Sequence, residues 1–535
     1  MGMIYPRIFR GLHRRWAHWQ NNRHIRKLAA QVVSQSPQPL PGTKPVLFFN
    51  ASTRLGGLSL NAAYALIAGW GLRLAGVPVV NFACHSGMSR CILGTNRLQP
   101  QVSPPCASCI GQSRVLFHQQ ETKWFTFQAD PKMETHLQSM TLAEMTRFEY
   151  QGVPLGELVL PGARWVLRRH HLVDNESTRF LFRQFLLSAW NVAQSFREFL
   201  LQVNPQAVVV FNGIAFPEAT VRWVARQKGI RVITHEVCHQ PFTAFFHPGD
   251  ATAYPISVPE DFELDEKMNE RLDRYLEQRF KGNFSMAGIR FWREIRHLDQ
   301  AFINKLSGFK QVVPVFTNVI FDTSQGHANV VFAHMFEWLD LILSVIRNHP
   351  ETLFVIRAHP DEARPGKESQ ESVEEWVRTR QVDRLPNVVF VSPGEYFSSY
   401  ELIQRSKFVM VYNSTIGIEA ALMGAAVLCG GRSRYTQLPM VYFPSSPQEY
   451  HRMAEDFLSA DKVEVPAEFV RNARRFMYIN LYRACLPFAS FIEEDGSWAG
   501  YVKLKPFSPA DLLQSPTIQA IVRGILDDKP FLIEG

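Results

Sequence analysis

No apolar run in this sequence reaches the roughly 18 residues that a membrane-spanning helix needs, which argues against an integral membrane protein. The most apolar stretch, Ala62–Trp70, is soon followed by Arg73. The basic N-terminus leads into no apolar core or cleavage site of a signal peptide, so the expected compartment is the cytoplasm. Cysteine is scarce: seven residues in 535 are too few and too unevenly placed for a disulfide framework. Neither G-x-G-x-x-G nor G-x-x-x-x-G-K-[ST] is present, so a dinucleotide fingerprint and a P-loop both lack support. Asp-x-Asp, a carboxylate pair that holds a metal with a nucleotide sugar, is missing too. Acidic residues are absent from the first 120 positions, which hold 13 Lys or Arg, whereas the rest carries 44 basic and 49 acidic groups. That asymmetry suits an anionic partner for the N-terminal part, or a solvated basic face.

What is present fits a globular enzyme: 46% apolar and 20% charged residues. The length predicts two or three domains. Residues 4–33 read as a basic helix with Ile8, Leu12, Trp16 and Trp19 on one side. Such a helix suits an anionic membrane surface or docking on the body of the protein. With the Pro-rich linker Ser36–Gly42 it forms an arm over residues 1–42.

From Pro45 the pattern becomes strand, glycine loop, helix, strand. Val46–Asn50 is followed by Gly56-Gly57, an apolar helix from Leu58 to Leu74, and Val77–Phe82. The βαβ theme returns at Ala207–Phe211, a helix from Pro217 to Lys228, and Arg231–His235. A second series runs through Gln311–Val319, Leu353–Ala358, Val388–Val391, Lys407–Tyr412 and Ala426–Cys429. Alternating strands and helices imply parallel sheets. The expected fold class is therefore α/β, with one sheet domain over 43–300, a second over 301–475, and a C-terminal segment, 476–535.

Ligands of open α/β sheets bind at the carboxyl ends of strands. Asn413-Ser414-Thr415-Ile416-Gly417-Ile418-Glu419 lies between a strand and a helix, where backbone amides and two hydroxyls suit a phosphate. Gly417 would leave room for close approach, and Glu419, one turn in, could accept from ribose hydroxyls. A plain N-cap by Asn413 or Ser414 fits the same residues. Arg357-Ala358-His359-Pro360 ends another strand and offers Arg357 and His359 to a phosphate, or simply a capping turn. Thr234-His235-Glu236 places a carboxylate at a strand end as a candidate general base, with His235 and His239 as alternatives. The Gly56-Gly57 loop is a further candidate at the acceptor side.

Four cysteines cluster as Cys84, Cys91, Cys106 and Cys109, the last two in Cys-x2-Cys beside Pro104-Pro105. They can hold a structural zinc or, less suitably, an iron–sulfur cluster; reduced loop thiols are the alternative. Cys238, Cys429 and Cys485 read as small core residues.

Strand–His359-Pro360, followed by strand–Ser414-Thr415-x-Gly417-x-Glu419-Ala420, resembles the capsule-polysaccharide biosynthesis glycosyltransferases, which include Kdo transferases. Phe211-Asn212-Gly213…Pro217-Glu218 and Thr234-His235-Glu236 are similar to that family's first domain, and the resemblance spans about residues 45–440. It implies a GT-B fold, two Rossmann-like domains facing a cleft. It also implies a nucleotide sugar (CMP-, UDP- or GDP-linked) held by His359, Ser414, Thr415 and Glu419, with Glu236 as the acid of the first domain. Cys238 stands where the family pattern has glycine. The His-Pro and Ser-Thr arrangement is shared with teichoic-acid glycerophosphotransferases, which use CDP-glycerol.

The leading expectation is a glycosyltransferase acting on a surface or capsular glycan or its lipid-linked precursor, with no cofactor required for the chemistry, at the inner membrane face. A polyol-phosphate transferase, a non-catalytic scaffold, and a polyanion-binding protein are the alternatives. The lack of any nucleic-acid-binding motif argues against nucleic acid.

Overall fold

The computed structural model describes residues 4–51, 55–250, 255–281, 296–496 and 500–534, with side chains from residue 14 onward. Two separate sheets carry the α/β pattern.

The first sheet contains β1 (Val46–Phe49), β2 (Val79–Cys84), β3 (Glu121–Phe125), β4 (Ala207–Phe211), β5 (Arg231–Val237) and β6 (Thr243–His247). Its parallel part has the order β3-β2-β1-β4-β5, and β6 adds antiparallel to β5. Every side chain of β1 is buried, because helices cover both faces of a central parallel strand. The helix Leu60–Leu74 starts where Ser59 Oγ accepts from the amide of Ala62, and all but two of its residues are buried. It is nearly all apolar because it lies between the sheet and a further layer. That layer holds the helix Pro516–Leu526, whose Ile518 would lie 2.3 Å from a Cβ at Gly71.

The second sheet holds β7 (Gln311–Phe316), β8 (Thr352–Arg357), β9 (Val388–Val391), β10 (Val409–Val411) and β11 (Val427–Cys429). All its pairings are parallel, in the order β11-β10-β7-β8-β9. From β7 the chain adds β8 and β9 on one side, then returns to add β10 and β11 on the other. The crevice at the carboxyl ends of β7 and β10 is therefore a topological switch point.

The chain then crosses back. The helix Ala467–Ile479 continues as a π turn, Asn480–Ala484, and leads to β12 (Leu486–Pro487), which pairs with β6. Cys485 forms a disulfide with Cys238 at the end of β5. This corrects the reading of both residues as plain core cysteines: two positions 247 residues apart in sequence become neighbours through that crossing.

The N-terminal helix, Ile4–Gln35, docks by its second half, where Ile25, Leu28, Ala29 and Val32 are buried. Asn21 donates to Val502 O and accepts from Leu504 N, both in the C-terminal hairpin. Trp16 and Trp19 remain 56% and 55% exposed. The side chains of Ile8 and Leu12 lie outside the described residues. Among the strands that escape sequence inspection are β3, whose Glu-Thr-Lys-Trp-Phe has no apolar run, and the short antiparallel β6. Among the described residues, no helix is long and apolar enough to cross a membrane.

Candidate functional site

A cleft of about 710 Å³ runs between the carboxyl ends of the two sheets. Its lining includes six cations, Arg168, Arg279, Arg364, Lys367, Arg432 and Arg434, against four acids, Glu236, Asp322, Asp361 and Glu419. This excess suits an anionic ligand.

Glu236 is half-buried at the end of β5. Its Oε1 accepts from Asn61 Nδ2 at 3.0 Å and from the Val237 amide at 2.9 Å, and its Oε2 from Asn212 Nδ2 at 2.9 Å. Burial raises its pKa, while these donors and nearby Arg434 pull it down. A carboxylate held by amide donors at the edge of a cleft is placed to take a proton from a ligand hydroxyl. Asn61 and Asn212 thus line the site beside Glu236; the sequence singles out Asn212, in the Phe211-Asn212-Gly213 run, and not Asn61. The preceding residue, His235, is not brought there. It is fully buried, and its Nε2 lies 2.8 Å from Asn50 Oδ1. Successive strand residues point to opposite faces, so only one of the pair can face the cleft. His239 does line it.

Across the cleft, His359 caps the 3₁₀ turn Pro360–Ala363, its Nδ1 accepting from Asp361 N at 3.2 Å. With Nδ1 an acceptor, the neutral ring carries its proton on Nε2. Burial lowers the pKa of His359, with Asp361 and Asp322 opposing and Arg357 reinforcing the shift. Arg357, expected beside it, points elsewhere and donates to the carbonyl of Phe397 at 2.5 Å. It is not part of the cleft lining, because the carbonyl at the end of the neighbouring loop captures it.

Asn413 spans the switch point. Its amide donates to Asn318 Oδ1 after β7, and its side chain bonds Ser324 and Gln325. Ser414 is buried, and its carbonyl accepts from Tyr435 Oη at 2.6 Å. Thr415, exposed, begins the seven-residue helix Ile416–Leu422 without a side-chain capping bond. This corrects the capping by Asn413 or Ser414 that the sequence allowed. Gly417 does not open space for a ligand: a Cβ there would lie 2.4 Å from the Tyr435 hydroxyl, which fills the position. Glu419 is buried, its Oε1 taking Nε of Arg279 at 2.9 Å and Nη2 at 2.5 Å, its Oε2 the Tyr400 hydroxyl at 2.6 Å. Burial opposes the charge of Arg279, but Glu419 together with Tyr275 and Tyr400 outweighs it, so that the guanidinium stays charged.

Arg168 links the two domains. Left-handed at the end of the helix Leu155–Leu167, it lies 4.2 Å over the Trp165 ring and 5.2 Å from that of Phe321. Its carbonyl accepts from Gln370 N at 2.8 Å. Gly56 and Gly57 pack away from the cleft. Gly57, with φ +78°, donates to Gln112 Oε1 at 3.1 Å beneath Tyr501. Their loop leads into Ser59, Leu60 and Asn61, which do line the cleft.

None of the four clustered cysteines is disulfide-bonded, and all four are half-buried. Burial pushes Cys84 and Cys91 up to about 12. Among the described residues, only Cys238, His239 and Cys485 bring three potential ligand atoms within 4.8 Å of one another, and two of these are the disulfide pair.

Residues 284–440 match the family model described as capsule polysaccharide biosynthesis protein. The family resemblance read from the sequence holds over this stretch. It takes in the whole second sheet, with His359, the Asn413–Thr415 turn and Glu419. Two solved structures similar to the chain are the KpsC β-Kdo 2,4- and 2,7-transferases of Thermosulfurimonas dismutans. The first has 11% identity over 59% of this chain and 87% of that one, with a TM-score of 0.35. The second has 18% identity over 52% and 80%, with a TM-score of 0.31. The UDP-GlcNAc 2-epimerase of Neisseria meningitidis, bound to UDP-GlcNAc, is 13% identical over 81% of this chain and 98% of that one, with a TM-score of 0.25. No curated protein sequence matches the chain.

Proposed function

We propose that this capsule-biosynthesis-type chain is a glycosyltransferase. It moves a sugar from a nucleotide donor to a hydroxyl of a surface glycan or its lipid-linked precursor. The observation that carries this reading is the cleft itself. Glu236 on the first sheet and His359 with Asn413, Ser414 and Thr415 on the second line one cavity with excess positive charge.

In this reading the second domain holds the donor phosphate. His359 donates to it from Nε2, and the Ser414–Thr415 hydroxyls and nearby arginines offset its charge. Glu236 accepts the proton of the acceptor hydroxyl as its oxygen bonds to the anomeric carbon. The bond from that carbon to the phosphate oxygen breaks, and the leaving phosphate gains negative charge that the cations of the cleft stabilise. Glu419 has lone pairs left for a ribose hydroxyl beside Arg279. No metal enters this chemistry.

The enzyme would act in the cytoplasm at the inner membrane face. Exposed Trp16 and Trp19 beside exposed Arg14, Arg15 and Arg23 support contact with anionic lipid. Sedimentation with phosphatidylglycerol vesicles, lost in a Trp16→Ala/Trp19→Ala variant, is the expected result.

Thermal-shift titration with CMP, CDP, UDP, GDP and their sugar conjugates tests the donor site. A ligand at 100 times its dissociation constant stabilises by about 2.7 kcal/mol. Stabilisation by one nucleotide, lost in His359→Ala/Ser414→Ala, is expected. A folded protein that responds to none of them would overturn the reading.

A further inference from the structure

We propose that Cys84, Cys91, Cys106 and Cys109 bind one zinc ion through four thiolates, in a structural site outside the cleft. The four come from three places: the last residue of β2, the loop after it, and the first turn of the helix Cys106–Leu116. The fold brings them to one region, with Cys91 beside the Pro104-Pro105 step that leads into Cys106, although no three of their sulfurs stand within 4.8 Å of one another.

The backbone around them is arranged for sulfur ligands. Cys84 and Cys91 each begin a Cys-x-x-Gly turn, whose glycine amide donates to the sulfur, Gly87 at 3.2 Å and Gly94 at 3.3 Å. Amide donors of this kind favour a thiolate over a thiol. Cys106 and Cys109, three apart in one helical turn, share a face. A Cβ at Gly94 would lie 3.1 Å from Cys91 Sγ, 2.9 Å from Pro104 and 3.2 Å from Pro105. Glycine thus allows the Cys91 turn to close on the Pro-Pro step that starts the helix.

Charge gives an independent argument. A zinc with four thiolates carries two net negative charges, which suits a stretch, residues 1–120, that holds 13 basic and no acidic residues. Tetrahedral zinc needs sulfurs at about 2.3 Å, so the sulfurs must draw closer than they stand here, as the ion displaces the four thiol protons. The site would fix the helix that holds the glycine loop. A Cβ at Gly56 would lie 3.0 Å from Ser108 Oγ, and Gln112 bonds the Gly57 amide.

The test is metal analysis of the purified full chain after dialysis against zinc-free buffer. Roughly one zinc per chain is expected. A Cys106→Ser/Cys109→Ser variant should fall to a tenth of that or less, whereas Cys429→Ser should keep its zinc. Replacing zinc by cobalt(II) in the native chain should give the intense visible absorption of a tetrahedral thiolate site, a readout that does not depend on the variant folding. A folded native chain with neither zinc nor a cobalt–thiolate spectrum would overturn the proposal. So would zinc retained in the double variant, or stoichiometric iron and sulfide in its place.

Discussion

Asn212 donates from Nδ2 to Glu236 Oε2 at 2.9 Å, tying together the carboxyl ends of two neighbouring parallel strands. Asn212 holds a left-handed conformation, φ +55°, which asparagine tolerates better than most residues. The bond opposes the rise in Glu236 pKa that burial causes. If Glu236 is the base, it works ionised, and the rate falls as pH drops through its pKa. Asn212→Ala removes a donor to the charged form, so the acidic limb of the pH–rate profile should move upward. A shift of about one unit is expected, equivalent to about 1.4 kcal/mol from a hydrogen bond to a charged group. A limb that stays in place while the rate drops would mean that Asn212 positions the acceptor and does not tune the base.

Glu419 and Arg279 form a buried ion pair, their side chains only 4% and 13% exposed. Removing one partner leaves the other charge buried and uncompensated. Glu419→Gln should therefore cost about 3–5 kcal/mol in urea unfolding. Arg279→Met added to it should recover most of that loss. Strictly additive losses in the double variant would show that the pair contributes no mutual stabilisation.

How much of the site could be read in advance follows from the range of each interaction. Glu236, His359 and the Asn413–Thr415 turn were readable because each ends a strand, and strand ends meet at the cleft. The parity of a strand separates His235 from Glu236, and that rule needs no structure. Arg357 fails for a longer-range reason: its partner is the Phe397 carbonyl, 40 residues on. Gly417 looks like a gap in sequence and is filled by a tyrosine from a following loop. The Arg279 that occupies Glu419 is 140 residues away. Both sheets show in the alternation of apolar runs and helices, whereas β3 and β6 do not: β3 is a half-exposed edge strand with no apolar run, and β6 is a short buried strand that adds antiparallel to β5.

Gly417→Ala would push the Tyr435 hydroxyl from its place 2.4 Å from the added Cβ. The phenol would then lose its bond to the Ser414 carbonyl. A stability loss of about 1–3 kcal/mol is expected from overpacking alone. Since Ser414 belongs to the proposed phosphate turn, KM for the donor should rise more than kcat falls. Adding Tyr435→Phe relieves the oxygen clash and should restore part of the stability without restoring the donor affinity. Recovery of both together would place the defect in packing and not in the turn.

The Cys238–Cys485 disulfide closes a long loop that contains the whole second sheet. Cys238 also lines the cleft two residues beyond Glu236. Reduction should release the crossing segment where β12 joins the first sheet. Loss of a native disulfide costs about 2–5 kcal/mol in small domains, and strain or residual structure reduces it in larger ones. Reductant should thus lower the melting temperature of the native chain and leave that of Cys238→Ser/Cys485→Ser unchanged. The variant should also lose activity beyond its loss of stability, since the end of β5 would no longer be anchored beside Glu236. A native chain equally stable with and without reductant would mean that the packing of β12 against β6 suffices to hold the crossing. In that case the activity of the variant should match the native rate at temperatures where both remain folded.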